Sequence, residues 1–304
     1  MSDISLKILG SGSAIPAYGR NQASHVLSMH NKKFMIDCGE GTQVQMSKYG
    51  EGMARLDHVF ISHLHGDHCF GLLGLISSIG MRMDRGDLYI HSHAELEKVL
   101  RPALDFFTGG LNFKVHFETF KTNVSECIYE DRSIVVTTIP LVHTMPCSGF
   151  LIKEKPKERH LIRQKIEFFK IPIKELPLIK RGADFITESG EIISNAVLTR
   201  EASPSFSYAY CSDTAYSERI IPYIENVDLL FHEASYLTEH KSKAKKNLHS
   251  TAAQAATIAQ KANVKKLILG HFSARYKDLS AFLDEARPIF ANTELTKDGM
   301  VYNY

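Results

Sequence analysis

The segment ISHLHGDHCF at residues 61–70 places His63, His65, Asp67 and His68 within six positions. That density of imidazole and carboxylate constrains the fold more than any other feature, because metal ligands must converge from several parts of a chain. The preceding DHVFIS reads as a buried strand, so His63 and His65 follow its carboxyl end. Residues two apart in an extended segment point to the same side, which lets this pair grip one metal. Gly66 permits a sharp turn, after which Asp67 and His68 open the next helix and face elsewhere. Neutral imidazoles suit zinc, and a carboxylate beside them fits a catalytic rather than a closed structural site.

Partners occur in matching positions. IPLVH ends a strand at His143, AYCSD ends one at Asp213, and LILGH ends one at His271. The carboxyl ends of strands are where α/β folds usually gather their ligands. The candidates His63, His65, Asp67, His68, His143, Asp213 and His271 number seven. Seven is the number that two four-coordinate metals require if Asp213 bridges them.

Short β-type runs recur along the chain, among them SLKILG, SHVLSM, KFMID, DHVFIS, SIVVTTI, FSYAYCS, DLLFHEA and KLILGH. Helical patterns are expected at 69–80, 93–105, 216–225, 250–263 and 279–290, and hairpin-like spacing spans MHNKK. The helix at 250–263 opens on a Ser/Thr cap signal and ends at Asn263. This mixture reads as α/β, two sheets in one sandwich covered by helices. With 304 residues, the chain is long enough for a sizeable core. No apolar run approaches the roughly 20 residues of a membrane span, and MSDISLKILG has no signal-peptide pattern. The five cysteines (Cys38, Cys69, Cys127, Cys147, Cys211) are scattered and form no CxxC pair, which points to a reducing compartment and a cytoplasmic location.

One stretch breaks the pattern. Residues 153–181 contain no glycine and carry ten Lys/Arg against four Glu. The net charge of the whole chain is only +2, so any nucleic-acid binding must rest on a local patch such as this one. Leu161, Ile162, Ile166, Phe168, Phe169 and Ile171 give it an apolar seam, and a protruding basic arm over 153–182 is expected. The alternative is a solvated surface excursion. Phe168 and Phe169 are expected to close the seam rather than stack on bases.

HLHGDH resembles the signature of the metallo-β-lactamase superfamily, an αββα sandwich of zinc hydrolases. LGSGSAIPAYGRNQAS, IDCGEGTQVQM, LLFHEAS, HSTAAQAA and GHFSARY together resemble the ribonuclease Z family of tRNA 3′-processing endonucleases, and the likeness covers both halves of the chain. The resemblance implies two zinc ions per subunit. One would take His63, His65 and His143, the other Asp67, His68 and His271, with Asp213 bridging. It further implies Asp67 as general base, His249 as the histidine that assists the leaving oxygen, and Glu233 as its partner, although Glu233 also reads as a brace for its strand. The product expected is a tRNA body with a 3′-hydroxyl.

The basic insertion sits where that family carries an arm that clamps the tRNA body, and Lys and Arg contacts to phosphate position RNA without reading its sequence. The candidate RNA contacts are Lys155, Lys157, Arg159, Arg163, Lys165, Lys170, Lys180 and Arg181. The family's Gly-Pro motif is absent, only Pro172 and Pro177 being kept in IPIKELPLIKRG. HKSKAKK at 240–246 reads either as a phosphate-steering loop or as a plain exposed one. Precursor tRNA is the implied partner, and a homodimer is implied in which one subunit's arm serves the other's site. Two other functions compete. A small-molecule phosphodiesterase leaves the basic arm unexplained, and a non-catalytic RNA-binding protein conflicts with an unbroken ligand set.

Overall fold

The computed structural model describes residues 4–53, 55–81 and 86–304. The first half runs β1 (Ile4–Gly10), β2 (Ser24–Met29), β3 (Lys32–Ile36), α1 (Thr42–Lys48), β4 (Leu56–Phe60), α2 (Gly66–Cys69), α3 (Gly71–Gly80), β5 (Leu88–Ser92), α4 (Glu95–Thr108) and β6 (Val115–Thr119). After it come β7 (Cys127–Glu130), β8 (Ile134–Pro140) and β9 (Ser148–Glu154). An excursion then holds β10 (His160–Leu161), α5 (Arg163–Phe168), α6 (Leu176–Lys180), β11 (Phe185–Ile186), β12 (Ile192–Ile193), α7 (Asn195–Leu198) and β13 (Thr199–Arg200). The chain finishes through β14 (Ser207–Cys211), α8 (Ile221–Ile224), β15 (Leu229–Glu233), α9 (Lys241–Asn247), α10 (Ala252–Lys261), β16 (Leu267–Gly270), α11 (Ser280–Ala286), β17 (Thr293–Leu295) and β18 (Val301–Asn303).

Two seven-stranded sheets result, in the orders β18-β1-β2-β3-β4-β5-β6 and β17-β16-β15-β14-β9-β8-β7. The alternation of ISLKILG buries Ile4, Leu6 and Ile8 on one face, where they meet Phe34, Phe60, Phe150, Tyr208, Phe231 and Ile268. Residues of both sheets share this cluster, so it is the core of the sandwich. Each fully buried Phe contributes about 1.5–3 kcal/mol relative to exposure. Separate clusters pack helices on the outer face of each sheet, Leu72, Leu75, Ile76 and Leu100 on the first and Ala255, Ala256, Ile258 and Phe282 on the second. This is the αββα arrangement expected from the sequence.

The expected hairpin turns at His30 and Asn31, both left-handed (φ 52° and 62°), the geometry that matches strand twist in a two-residue hairpin. The helix expected at 250–263 spans 252–261. Thr251 accepts the Gln254 N–H while the Gln254 side chain accepts that of Thr251, a complete capping box. The helix expected at 216–225 shrinks to the four residues of α8, after a single tight turn at 218–220, with Pro222 in its first turn.

The excursion is longer than the charge run. It continues past Gly182 to Phe206, and β10 closes it by pairing with β13. Its seam is built from Ile171, Ile179, Ile193 and Leu198, with Leu161, Ile166 and Phe169 against them. Phe168 does not join: it is 75% exposed. Consecutive helical residues lie about 100° apart, so only one of the pair can face the seam.

In the first sheet β3 to β6 are parallel, and in the second β14 to β17 are parallel. The carboxyl ends of β4, β14, β15 and β16 meet along one edge of the sandwich.

Candidate metal centre

The seven residues expected as ligands converge at that edge. His63 and His65 follow β4, His143 follows β8, Asp213 follows β14 and His271 follows β16. Asp67 and His68 lie in α2, whose N-cap is His65 in an extended conformation. Ligand atoms of His63, His65, His143 and Asp213 form one nest, and those of Asp67, His68 and His271 form a second, each within 4.8 Å. Asp213 joins them. Its Oδ2 lies 3.6 Å from Nε2 of both His63 and His143, and its Oδ1 lies 3.5 Å from His68 Nε2 and 3.2 Å from His271 Nε2.

The spacing within each nest matches tetrahedral coordination. His65 Nδ1 faces His63 Nε2 at 3.0 Å and His143 Nε2 at 3.2 Å. Asp67 Oδ2 is 3.3 Å from His271 Nε2 and 3.5 Å from His68 Nε2. A tetrahedron with bonds of roughly 2.1 Å has edges of about 3.4 Å. The donor set also demands cations. Asp37, Asp67, Asp213 and Glu233 are all buried, and among the described residues their ion-pair partners are imidazoles, not Lys or Arg. Two metal ions fit these residues.

Four of the five imidazoles are oriented through their far nitrogen. His68 Nδ1 donates to Asp37 Oδ2 at 2.7 Å, and His143 Nδ1 donates to the Leu248 carbonyl at 3.1 Å. Ser62 donates its hydroxyl to Asp37 and accepts from His63 Nδ1 at 3.0 Å. Ser235 donates to the His271 carbonyl and accepts from His271 Nδ1 at 3.0 Å. Each Nε2 is thereby turned into its nest, the usual arrangement of metal-ligating histidine.

Two of the residues involved sit in left-handed backbone, Asp37 (φ 56°) and His271 (φ 60°). Such strain persists where surrounding structure enforces it, and it often marks a functional site. Asp37 is held from all sides: it accepts the Ser62 N–H and hydroxyl, the Tyr210 hydroxyl and His68 Nδ1. The loop after it meets α3 at Gly71, where an added Cβ would lie 2.0 Å from the Gly39 carbonyl oxygen. Only glycine allows that approach.

Burial, with the charge of His68 adding to it, holds His63 well below its ordinary pKa, and burial also lowers His65 and His143. These three are therefore neutral donors. Burial works against charge at Asp67 and Asp213 too, but the facing imidazoles outweigh it and hold both carboxyls far below their usual range. At His68 burial is likewise outweighed, by Asp213 and Asp37, and the ring is held well above its ordinary value.

Beside the nests, a ring nitrogen of His249 lies within 4.8 Å of ligand atoms of Asp213 and His271. Its Nδ1 donates to Glu233 Oε1 at 2.8 Å. Glu233 also accepts the N–H groups of Thr214, Ser235 and Ser250, so it braces its surroundings as well as pairing with His249. A cavity of about 560 Å³ opens over the nests, walled by Ile15, Thr144, Tyr236, Lys246, Asn247 and Ala274.

The arm's cations lie apart from this centre. Lys155 pairs with Glu130, Lys157 with Glu154, Arg163 with Glu167 and Lys180 with Glu158. Arg159 bonds Thr199 and Arg181 bonds the Pro177 carbonyl. Lys165 and Lys170 are exposed, with no carboxylate within 4.0 Å among the described residues. Sequence reasoning missed Asp37, Ser62 and Ser235. For Asp37 a signal existed, since KFMID ends a strand on aspartate as AYCSD does.

Comparison with known proteins adds three findings. The family described as "Anti-Pycsar protein Apyc1" matches residues 4–167. That span ends before Asp213, His249 and His271. A protein of Bacteroides thetaiotaomicron named Ribonuclease Z is 51% identical over 99% of this chain and 95% of its own length. One from Porphyromonas gingivalis of the same name is 43% identical over 99% of both. Among solved structures, the short form of human tRNase Z superposes with TM-score 0.71 at 24% identity, covering 98% of both chains. The metallo-β-lactamase fold protein YhfI of Bacillus subtilis does so with TM-score 0.70 at 17% identity over 99% of both, a likeness of fold alone.

Proposed function

The chain belongs to the ribonuclease Z family, whose members match it end to end, and over its first half also to the family described as Anti-Pycsar protein Apyc1; we propose that it removes the 3′ trailer from precursor tRNA by hydrolysing one phosphodiester. Full-length relatedness decides between the two names, because the ligands and the His249–Glu233 pair of the second half lie outside the shorter match. The observation that carries the reading is Asp213, one oxygen turned to each nest, with a paired histidine beside both.

We take the metals to be zinc, two per subunit, on the strength of the imidazole-rich donor set. When bound, a pair of such ions lowers the pKa of a water and stabilises both oxygens of an in-line phosphoryl displacement. The chain's own residues do the rest. Asp67, ionised and fixed between His68 and His271, accepts a hydrogen bond from the attacking water and orients it, and as general base takes that proton as the water oxygen bonds to phosphorus and becomes acidic. The water oxygen joins phosphorus and the bond to the ribose 3′-oxygen breaks. His249, kept protonated by Glu233, delivers a proton to that leaving oxygen, and the tRNA body keeps a 3′-hydroxyl.

The arm serves RNA binding through its unpaired lysines. It is rooted at the end of β9 and the start of β14, whereas His143 lies just before the start of β9 and Asp213 just after the end of β14. Seven residues of β9 put about 20 Å between root and metals. That separation supports a homodimer in which the arm reaches a partner's site. Among the described residues no helix is long and apolar enough to cross a membrane. A tRNA substrate and unpaired cysteines at all five positions favour the cytoplasm.

The test is to incubate the purified protein with a precursor tRNA bearing a 3′ trailer and to map the new end. Cleavage after the acceptor stem with a 3′-hydroxyl is expected. Uncut precursor in the presence of Zn²⁺ or Mn²⁺ would sink the reading.

A further inference from the structure

Glu154 is the last residue of β9 and stands where the arm leaves the body; its side chain is 1% exposed. Oε2 accepts the N–H of Phe206, the residue just before β14, at 2.6 Å. Oε1 faces His30 Nε2 at 2.6 Å and Lys157 Nζ at 3.0 Å. The backbone adds a bond from Glu154 N–H to the Phe206 carbonyl at 2.9 Å. One carboxylate thus ties the outgoing leg, the returning leg and the β2–β3 turn of the other sheet.

Neighbouring contacts tighten the same junction. Ser205 donates to the Lys155 carbonyl at 3.1 Å, and Lys155 donates its N–H to the Ser133 carbonyl at 2.8 Å. The Lys155 ammonium meets Glu130, and the Phe206 ring packs on Tyr304 with centroids 4.3 Å apart. Stability alone does not call for a charge here. A buried charge replaced by apolar groups of similar volume is often as stable or more so, whereas the Glu154 carboxylate reaches three separate segments at once.

We infer that Glu154 is a positioning residue for the tRNA reaction: it locks both legs of the arm at a fixed angle to the body and so sets where the arm's lysines meet the RNA. The inference rests on the RNA-binding role proposed for the arm.

Glu154→Gln tests it on the full-length, metal-loaded protein. The KM for precursor tRNA is expected to rise roughly ten-fold, the loss of about one charge-assisted hydrogen bond. At saturating precursor kcat is retained, as is hydrolysis of a small chromogenic phosphodiester. The Phe206 amide exchanges hydrogen faster, reporting the loosened root. His30→Gln, which keeps the carboxylate and removes one tie, gives a smaller rise in KM and guards against a folding defect in the first variant. Replacing 158–202 by a short Gly/Ser linker, run in parallel, separates the two ideas. If that deletion leaves the KM for precursor unchanged, RNA binding by the arm is wrong. If the deletion raises KM while both substitutions leave it unchanged, or if Glu154→Gln impairs the chromogenic substrate equally, the positioning role is overturned.

Discussion

His249 donates its Nδ1 proton to Glu233 Oε1 across 2.8 Å, and the accepting carboxylate is wholly buried. Three backbone N–H groups fix Glu233, so it cannot turn away from the ring. Burial by itself would lower the pKa of His249, but the facing carboxylate outweighs it and lifts the value to about 9. In the metal-free chain the imidazole is therefore charged at neutral pH, and Glu233 favours its acid form.

Replacing the donor should cost more than replacing its partner. His249→Ala is expected to reduce kcat on precursor tRNA by about a hundred- to ten-thousand-fold, the range of a lost general acid, with RNA affinity retained. Glu233→Gln removes the charge that favours the imidazolium, so the pKa of His249 falls and the acid form is lost at lower pH. The alkaline limb of the kcat profile should move toward neutrality. A profile that keeps its alkaline limb in place would remove Glu233 from the reaction.

Asp37 touches no metal position, yet His68 depends on it. With Asp37→Asn the ring of His68 loses its buried anionic acceptor, and retention of the metal in the Asp67–His68–His271 nest is expected to weaken by about 10–100-fold. Metal content after dialysis against graded chelator reads this directly. Retention equal to that of the unaltered chain would show that Ser62 and Tyr210, not His68, are what Asp37 serves.

The candidate ligands were legible because His63, His65, His143, Asp213 and His271 each follow a strand, with Asp67 and His68 in the short helix after β4, and strands show in alternation and apolar runs. Asp37 follows one as well, but what sets it apart is a left-handed φ and four converging donors, which no local pattern encodes. The arm's first half announced itself by charge. Its second half, 183–206, has no such run and is held by long-range bonds, Asn195 donating to the carbonyls of Ile179 at 2.7 Å and Ala183 at 2.8 Å. Phe168 and Phe169 are alike in sequence, and only the phase of α5 decides that the second packs while the first is exposed. The helix α1 is seven residues long with a left-handed Gly41 at its N-cap, too short and too weakly signalled to stand out.

The arm makes a salt-dependent prediction. Lys165→Ala with Lys170→Ala removes two exposed cations that no carboxylate among the described residues pairs with. Affinity for precursor tRNA should fall, and the slope of log affinity against log salt should become shallower by up to about 1.5, if both lysines contact phosphate. Lys157→Ala, whose partner is Glu154, should change that slope less. Equal slopes for the double variant and the unaltered chain would show that these lysines do not meet the RNA.

His25 sets part of the acid limit of stability. It lies wholly buried between the sheets, its Nδ1 2.8 Å from the Tyr208 hydroxyl and its ring 4.5 Å from that of Phe231. Burial, with the nearby charge of His68 adding to it, lowers its pKa from 6.5 to about 3. The unfolded chain therefore binds a proton on this residue below pH 6.5 that the folded chain refuses. The stabilisation is complete above pH 6.5 and is lost as pH falls toward 3, by about 2 kcal/mol on reaching roughly pH 5. Acid also strips metals from histidine ligands, so the measurement compares metal-free proteins. His25→Gln should unfold at a lower temperature at neutral pH but lose less on moving to acid. If both proteins lose the same Tm between neutral pH and about pH 5, His25 is not a proton-linked element of the core.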